Sequence, residues 1–374
     1  MSLSDEFIEH QGIYLLNHSV GLPLRGAEAA ATKAFWQPWQ AANGQVWDHW
    51  LEAVERFRRQ LADLFNDKSA NFCPQTSLSS AVAKIIDSLH LDKNKNCILL
   101  SEEDFPSIAF ALQKAAGEGY QLKFIPADQD SSDLSVWQQQ MTEDVGLVLI
   151  THVQSNNGRQ LPVAEITELC RHRGIVSIVD IAQSAGIVPI DFCAWHADFV
   201  VGSCVKWIGG GPGAAYLWVN PRIIDRCEPR TVGWFSHRDP FEFDIHHFDY
   251  AGDALRFWGG TPSVYPFVVA TRSLAFINQI GVETIRKQNL NFADTLIAGI
   301  REQYLISPRE HQQRGGTLIL DFGSDQSRVI EQLQRSQVHF DSRAKGIRLS
   351  PHICNNEAEI ALLADCLANC LADY

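Results

Sequence analysis

Short apolar runs alternate with amphipathic segments through much of the chain. Runs rich in Val, Ile and Leu, bounded by Gly, Pro or polar residues, occupy positions 97–100, 122–125, 145–151, 176–181, 199–204 and 214–219. Such runs are typical of strands that are buried on both faces of a sheet. Amphipathic stretches between them predict helices at 76–89, from 106, and at 163–172. This alternation predicts an α/β fold with a large, mostly parallel sheet, right-handed crossovers and helices on both faces.

The pattern changes towards the two ends of the chain. Residues 1–25 predict an N-terminal arm, and residues 27–65 form one helical pattern whose four tryptophans we interpret as core or subunit-interface packing. Residues 222–260 are aromatic and irregular, and long helices with short strands follow. We therefore predict a large α/β domain at 26–261 and a smaller α+β domain at 262–374.

Composition narrows the class of protein. With 374 residues, 45% hydrophobic and 20% charged, the chain is typical of a two-domain globular protein. The net charge of −13 argues against binding to nucleic acid or to anionic membranes. No apolar run is long enough to span a membrane, and the acidic N-terminus lacks the apolar core of a signal peptide. Nine cysteines without a CxxC pair indicate reduced thiols, so we expect a cytoplasmic protein.

Two reactive side chains follow neighbouring predicted strands. Asp180 ends the run at 176–181, and Lys206 comes just after the run at 199–204. Ligands bind outside the carboxyl ends of strands in open α/β sheets, so both groups point to one crevice. A desolvated lysine has a lowered pKa and forms Schiff bases, and a carboxylate can pair with a pyridinium nitrogen. Taken singly, Lys206 could reach solvent and Asp180 could cap a helix, but the pair favours a pyridoxal phosphate (PLP) site.

A phosphate group would need its own binding site. Thr76 and Ser77 stand at a predicted helix N-terminus, which offers free backbone N–H groups, hydroxyls and a favourable dipole. An ordinary helix cap would give the same local pattern. Ser203, three residues before the lysine, adds another hydroxyl.

Other chemical signals are weaker. His237, His246 and His247 lack the helical HxxxH arrangement, so we expect no metal site there. The chain has no GxSxG motif, and its GGGPG run at 209–213 is not a dinucleotide-binding fingerprint.

Several motifs in fixed order carry a resemblance to a known family. They are LNHSVG (16–21), DFPS (104–107), THV (151–153), DIAQSAGIVPIDF (180–192), KWIGGGPGAAYLWV (206–219), GWFSHRDPFEFD (233–244), RFWGGTP (256–262) and IRLSPH (347–352). Over roughly residues 15–356, the chain resembles the class V aminotransferase group of PLP enzymes, and within it the kynureninase branch. The resemblance implies a fold type I enzyme whose large domain binds PLP and which acts on an amino acid.

The resemblance also implies roles for the residues around the cofactor. Lys206 corresponds to the Schiff-base lysine and Asp180 to the partner of the pyridinium nitrogen. Gln183 corresponds to the residue that bonds the ring oxygen, and Phe105 to the aromatic that stacks on the ring. The phosphate would be held by Thr76, Ser77 and Ser203, with Thr261 and Trp234 reaching in from the partner subunit of a homodimer.

On the substrate side, Arg348 corresponds to the arginine that grips the α-carboxylate, a task that suits its bidentate fork. Asn17 and Ser155 correspond to further substrate contacts. Kynureninases have a tyrosine at the position of Val205 and another at that of Ser155. Desulfurases of this group have a nucleophilic cysteine before the IRLSPH motif, where this chain has residues 341–343.

These comparisons favour hydrolytic Cβ–Cγ cleavage of kynurenine or a related amino acid. Transamination stays open, because the same cofactor and scaffold support it. Cysteine desulfurase or epimerase chemistry is less favoured, since the cysteine is absent. A non-catalytic member of the fold is the remaining alternative, against which Lys206, Asp180 and Arg348 argue.

Overall fold

A computed structural model describes residues 3–90, 92, 94–115 and 119–372. The strands are β1 (Ile13–Tyr14), β2 (Phe72–Gln75), β3 (Cys97–Ser101), β4 (Gln121–Ile125), β5 (Val145–Thr151), β6 (Val176–Asp180), β7 (Phe199–Ser203), β8 (Ala215–Val219), β9 (Leu318–Leu320), β10 (Val338–His339), β11 (Asp341–Arg343) and β12 (Gly346–Leu349). The helices are α1 (Ala27–Ala31), α2 (Gln37–Gln40), α3 (Val46–Phe65), α4 (Leu78–Ser88), α5 (Pro106–Ala115), α6 (Leu134–Gln140), α7 (Val163–Arg173), α8 (Phe192–Trp195), α9 (Tyr265–Ile280), α10 (Val282–Ile297), α11 (Gln326–Arg335) and α12 (Glu357–Ala372).

The central sheet has seven strands in the order β2-β8-β7-β6-β5-β3-β4. The strands from β4 to β7 pair in parallel, whereas β8 runs antiparallel to β7 and β2 antiparallel to β8. Strands β3 and β5 to β8 are almost wholly buried, as expected for a sheet covered on both faces. The prediction of an α/β fold with a large, mostly parallel sheet is confirmed.

A second core forms from elements near both ends of the chain. Strands β11, β12 and β9 make a small antiparallel sheet, and β1 pairs in parallel with β10. Ile13 and Leu15 pack with residues of α10, α11 and α12 in this core. The N-terminal segment thus supplies both a strand and core side chains. Helix α9 packs in the large core, and the division into domains at 26–261 and 262–374 stays a prediction.

The predicted single helix over 27–65 is wrong in its middle. A π-helical turn (Thr32–Trp36) joins α1 to α2, and the helical path then breaks at 41–45. Ala42 takes a left-handed conformation with φ of 50°, which ends α2. The Asn43 side chain then accepts a hydrogen bond from the Gln45 amide at 3.1 Å just before α3 begins. The apolar periodicity of the tryptophans concealed this break.

Within the part of the chain that the structure describes, no helix is both long and apolar enough to cross a lipid bilayer.

Candidate active site

The sheet brings Asp180 and Lys206 to one edge. Asp180 is the last residue of β6 and is in register with Val201 of β7, so the two strands end side by side. The chain turns sharply after β7, where the amides of Gly209 and Gly210 donate to the carbonyls of Lys206 and Cys204 at 2.8 and 2.7 Å. Lys206 therefore stands beyond the end of β7, next to Asp180.

A cavity of about 200 Å³ opens between this edge and the N-termini of α4 and α5. The side chains around it come from the N-terminal ends of α4 and α5 and the residues just before them, from β5, β6 and β7, and from the loops that follow these strands. Its wall consists of Ser77, Leu78, Ser79, Phe105, Ser107, Ile108, Thr151, Val153, Ser155, Asp180, Ala182, Gln183, Ser203, Val205 and Lys206. The cavity thus contains seven of the predicted site residues: Ser77, Phe105, Ser155, Asp180, Gln183, Ser203 and Lys206.

Burial sets the protonation of the acid and the lysine. Burial raises the pKa of Asp180, and the nearby Lys206 charge partly offsets this. Burial likewise lowers the pKa of Lys206; Asp180 opposes this shift, and the positive charges of Arg348 and Arg343 add to it. A lysine with a lowered pKa is more often in the neutral form that attacks a carbonyl.

The ring of Phe105 covers one side of the cavity. Its centroid lies 5.6 Å from Nζ of Lys206 and 5.9 Å from the guanidinium carbon of Arg343. Arg343 is on the β11–β12 hairpin, whose turn is held by an ion pair between Lys345 and Glu103 at 2.6 Å. The hairpin therefore closes over the same side of the cavity as Phe105.

Helix α4 presents its N-terminus to the cavity. Ser77 caps the helix: its hydroxyl accepts from the Ser80 amide at 3.1 Å, and its own amide donates to the Ser80 hydroxyl at 3.2 Å. Ser203 holds its hydroxyl 3.4 Å from the amide of Val205 on the opposite wall. Thr76 is exposed and lies 3.3 Å from the Ser80 hydroxyl, outside the cavity wall. A helix N-terminus with two serine hydroxyls is a suitable phosphate site.

Gln183 links the cavity to the N-terminal segment. Its amide nitrogen donates to the carbonyl of His18 at 3.1 Å, and its oxygen accepts from the Trp207 indole at 3.3 Å. One N–H of the amide is left for a ligand. Asn17 is buried behind the wall, where its amide donates to the carbonyl of Ser350 at 3.1 Å.

Arg348 is almost completely buried and already has a carboxylate partner. Its Nε donates to Asp341 at 2.7 Å, and one terminal nitrogen donates to the same carboxylate. The other terminal nitrogen donates to the carbonyl of Ser155 at 3.3 Å. The ring of His18 also lies 2.9 Å from Asp341. Burial raises the pKa of Asp341, but the hydrogen bonds from His18 and Arg348 together hold it well below its ordinary value.

Sequence reasoning missed four residues at or beside this site: Asp104, His18, Arg343 and Asp341. Asp104 is buried directly before Phe105 and accepts from the Ser101 amide at 2.8 Å. Burial raises the pKa of Asp104 to about 7, with the charge of Asp180 adding to the shift. Local sequence gave a signal for two of these four residues, because His18 follows Asn17 and Asp104 precedes Phe105, both of which were predicted site residues.

Trp234 and Thr261 lie away from the cavity of this chain. Trp234 is half-buried against the rings of Trp47 and Phe243, and Thr261 is exposed. Their contribution to the site of a partner subunit stays a prediction.

Replacing Arg343 with Gln should shift the pH dependence of cofactor uptake. Removing a positive charge that disfavours the protonated lysine raises the pKa of Lys206. The neutral amine then appears at higher pH, so the midpoint of PLP incorporation into the cofactor-free protein should move to higher pH. Stopped-flow absorbance over a pH series measures this midpoint. The control is Arg335→Gln on α11, because Arg335 is exposed and far from the cavity. An equal midpoint in both variants would contradict the influence of Arg343 on the pKa of Lys206.

Comparison with known proteins agrees with this geometry. A sequence model described as Aminotransferase class-V matches residues 40–353. The chain belongs to the class V aminotransferase family. It is 30% identical over 320 residues to a kynureninase of Deinococcus radiodurans, covering 81% of this chain and 76% of that protein. It is 26% identical to the uncharacterized aminotransferase YcbU of Bacillus subtilis, covering 87% and 86% of the two chains.

A solved structure shares the fold of this class V aminotransferase family member. The cysteine desulfurase of Thermococcus onnurineus superposes with a TM-score of 0.84 at 20% identity, covering 96% of this chain and 94% of that one. Fold type I and membership of the kynureninase-like branch are confirmed, and the protein is a PLP-dependent enzyme. The cavity fits the cofactor, because it combines a lysine, a buried carboxylate, an aromatic ring and a helix N-terminus.

Proposed function

We propose that this enzyme cleaves the Cβ–Cγ bond of kynurenine or a closely related amino acid by hydrolysis. The observation that carries the proposal is the similarity to a kynureninase over 81% of the chain. Phe105 also supports the proposal. Its ring lies on the cavity wall, and it occupies the position at which the kynureninase branch stacks a phenylalanine on PLP.

The predicted cofactor-binding residues each have a task in this proposal. Lys206 would hold PLP and would move the proton at Cα of the substrate, for which its lowered pKa suits it. Asp180 would hold a proton on the ring nitrogen, and Ser77 and Ser203 would bind the phosphate with Thr76 at the rim. Gln183 would donate its free N–H to the ring oxygen. PLP, when bound, supplies the electron-withdrawing ring that weakens bonds at Cα.

Arg348 receives the substrate carboxylate in this proposal. Two of its nitrogens are fixed on Asp341, so the terminal nitrogen now 3.3 Å from the Ser155 carbonyl is the one free to change partners. A carboxylate is a stronger acceptor than that carbonyl. Asp341 would then hold the guanidinium in place, Ser155 would line the carboxylate end of the site, and Asn17 would support that end from behind the wall.

We also propose a cytoplasmic homodimer in which Trp234 and Thr261 of one subunit complete the cofactor site of the other. Their position away from this chain's own cavity is compatible with such an arrangement. Sedimentation velocity of the cofactor-loaded protein tests it, and a monomer at the enzyme concentration that supports activity would contradict it.

Anthranilate fluorescence provides the direct test of the proposed reaction. We expect cofactor-loaded protein mixed with L-kynurenine to release anthranilate with multiple turnovers. A parallel assay with 3-hydroxykynurenine measures release of the corresponding aromatic product. Boiled enzyme and PLP alone are the controls. Absence of product from both substrates, with the bound-cofactor absorbance intact, would contradict kynureninase activity while leaving the PLP site standing.

Transamination is the second candidate. Val205 lines the cavity next to Lys206 and brings no hydroxyl for proton transfer, which hydrolysis of a γ-carbonyl substrate would use. The similarity to the uncharacterized aminotransferase YcbU points the same way. Conversion of pyruvate to alanine with kynurenine or another amino acid as donor, without anthranilate, would favour this candidate.

A further inference from the structure

Three side chains that can bind a metal lie close together in the loop between Gly233 and Tyr250. The ligand atoms of His237, Glu242 and His247 all lie within 4.8 Å of one another. Nε2 of His237 is 3.6 Å from one carboxylate oxygen of Glu242, and Nδ1 of His247 is 3.9 Å from the other. In a tetrahedral zinc site with bonds of about 2.0–2.1 Å, ligand atoms stand about 3.4 Å apart. Movements of about an ångström, within the reach of side-chain rotation, would produce that spacing.

His237 is prepared as a ligand on both sides of its ring. Its Nδ1 lies 3.0 Å from the backbone amide of Asp239 and 2.8 Å from the backbone carbonyl of the same residue, to which Nδ1 donates when it carries the proton. In that tautomer Nε2 carries a free lone pair. Nε2 is buried and, among the described residues, has no hydrogen-bond partner. A metal-binding histidine typically donates its other N–H to a carbonyl in this way, whereas an unpaired buried nitrogen is otherwise costly.

The loop has its own fixed geometry. The amide of Arg238 donates to the carbonyl of Asp249 at 2.9 Å and closes the loop at its base. Inside it, Asp239 accepts from the amide of Phe241 at 3.1 Å, and Asp244 accepts from that of His246 at 2.9 Å. These local bonds hold the chain in the turns that bring the three side chains together. A cavity of about 160 Å³ lies beside them, with His237, Glu242 and His247 in its wall.

We propose that His237, Glu242 and His247 bind one Zn²⁺ ion. Two imidazoles and one carboxylate suit zinc, whereas calcium and magnesium prefer sites made of oxygen ligands. Three protein ligands leave a fourth position for water. When His247 binds through Nδ1, its Nε2 faces Asp249 at 3.8 Å, which places a carboxylate behind this ligand as well. The ion would pin the loop that begins at Trp234.

Zinc titration of the cofactor-loaded, metal-stripped protein tests the proposal. Isothermal titration calorimetry should show one Zn²⁺ per chain for the wild type. His247→Ala and Glu242→Gln should each weaken that binding by at least 100-fold. His246→Ala is the matched control, since His246 is exposed, adjacent to His247 and outside the cluster, and it should bind zinc as the wild type does.

Cobalt provides a second readout of the same site. Co²⁺ bound to the wild type and to His246→Ala should give the intense visible absorption of a four-coordinate ion, and His247→Ala should lose it. Far-UV circular dichroism and the bound-cofactor absorbance verify that each variant is folded. The proposal would be overturned if His247→Ala bound zinc as tightly as the wild type. It would also be overturned if His246→Ala lost as much zinc affinity as His247→Ala. Neither result depends on which amino acid the enzyme uses.

Discussion

Lys206→Ala is expected to abolish the covalent link to PLP and to lower kcat by at least about 10³-fold, because one side chain supplies both the attachment and the proton transfer. No other lysine lines the cavity among the residues that the structure describes. Borohydride reduction followed by peptide mass spectrometry measures the link directly. In the wild type, the pyridoxyl mass should appear on the peptide that contains Lys206.

Lys123→Ala is the matched control for this variant. Lys123 is a partly buried lysine on the edge strand β4, where it donates to the carbonyl of Gln140 at 2.7 Å, away from the cavity. Its loss should leave both the cofactor link and kcat at the wild-type level. A pyridoxyl group found on a different lysine of the wild type would show that the position of Lys206 has been misread.

Asp180→Asn is expected to lower kcat by about 10²–10³-fold, the range seen when one preorganised electrostatic contact to a reacting system is removed. The amide has nearly the same size but carries no charge, so it cannot stabilise a protonated ring nitrogen. Asp180 also accepts from the Ala182 amide at 2.7 Å, a bond that the amide oxygen can keep. Cofactor content should therefore fall less than kcat does. Parallel measurement of bound PLP and of turnover separates the two effects.

Asp198→Asn distinguishes loss of this charge from loss of any buried carboxylate in the sheet. Asp198 is next to the N-terminal end of β7, at the opposite edge from the cavity, and accepts from the Ser177 amide at 2.9 Å. Burial raises the pKa of Asp198, as it does that of Asp180. We expect Asp198→Asn to change thermal stability but not kcat. Equal kcat losses in the two variants would mean that Asp180 acts through folding alone.

Six of the seven strands of the central sheet, β3 to β8, were predictable because their signals are local, whereas β2 was not predicted. Each buried strand from β3 to β8 is a short apolar run with turn residues on either side, so the approximate bounds could be derived from the sequence. The meeting of Asp180 and Lys206 followed from the rule that carboxyl ends of parallel strands share an edge. The cavity wall contains both.

The carboxylate end of the site was not predictable in the same way. The motif around Arg348 indicated an arginine for a substrate, but not that Asp341 already occupies two of its nitrogens. That pairing depends on the short β11–β12 hairpin and on His18, which is 323 positions from Asp341 in the chain. A single sequence carries no periodic signal for contacts at such separations. Arg343 reaches Phe105 through the same hairpin and was missed for the same reason.

The early residues of the chain have their partners at its far end. Asn17 bonds to Ser350, 333 positions later, and Leu15 packs in a core that includes α12. A ribosome would therefore release this segment long before the strand and helices that cover it. Ile13 and Leu15 would stay without their partners until β10 and α12 have also left the ribosome. This second core must consequently close late, by long-range pairing, which is the slow and aggregation-exposed part of folding.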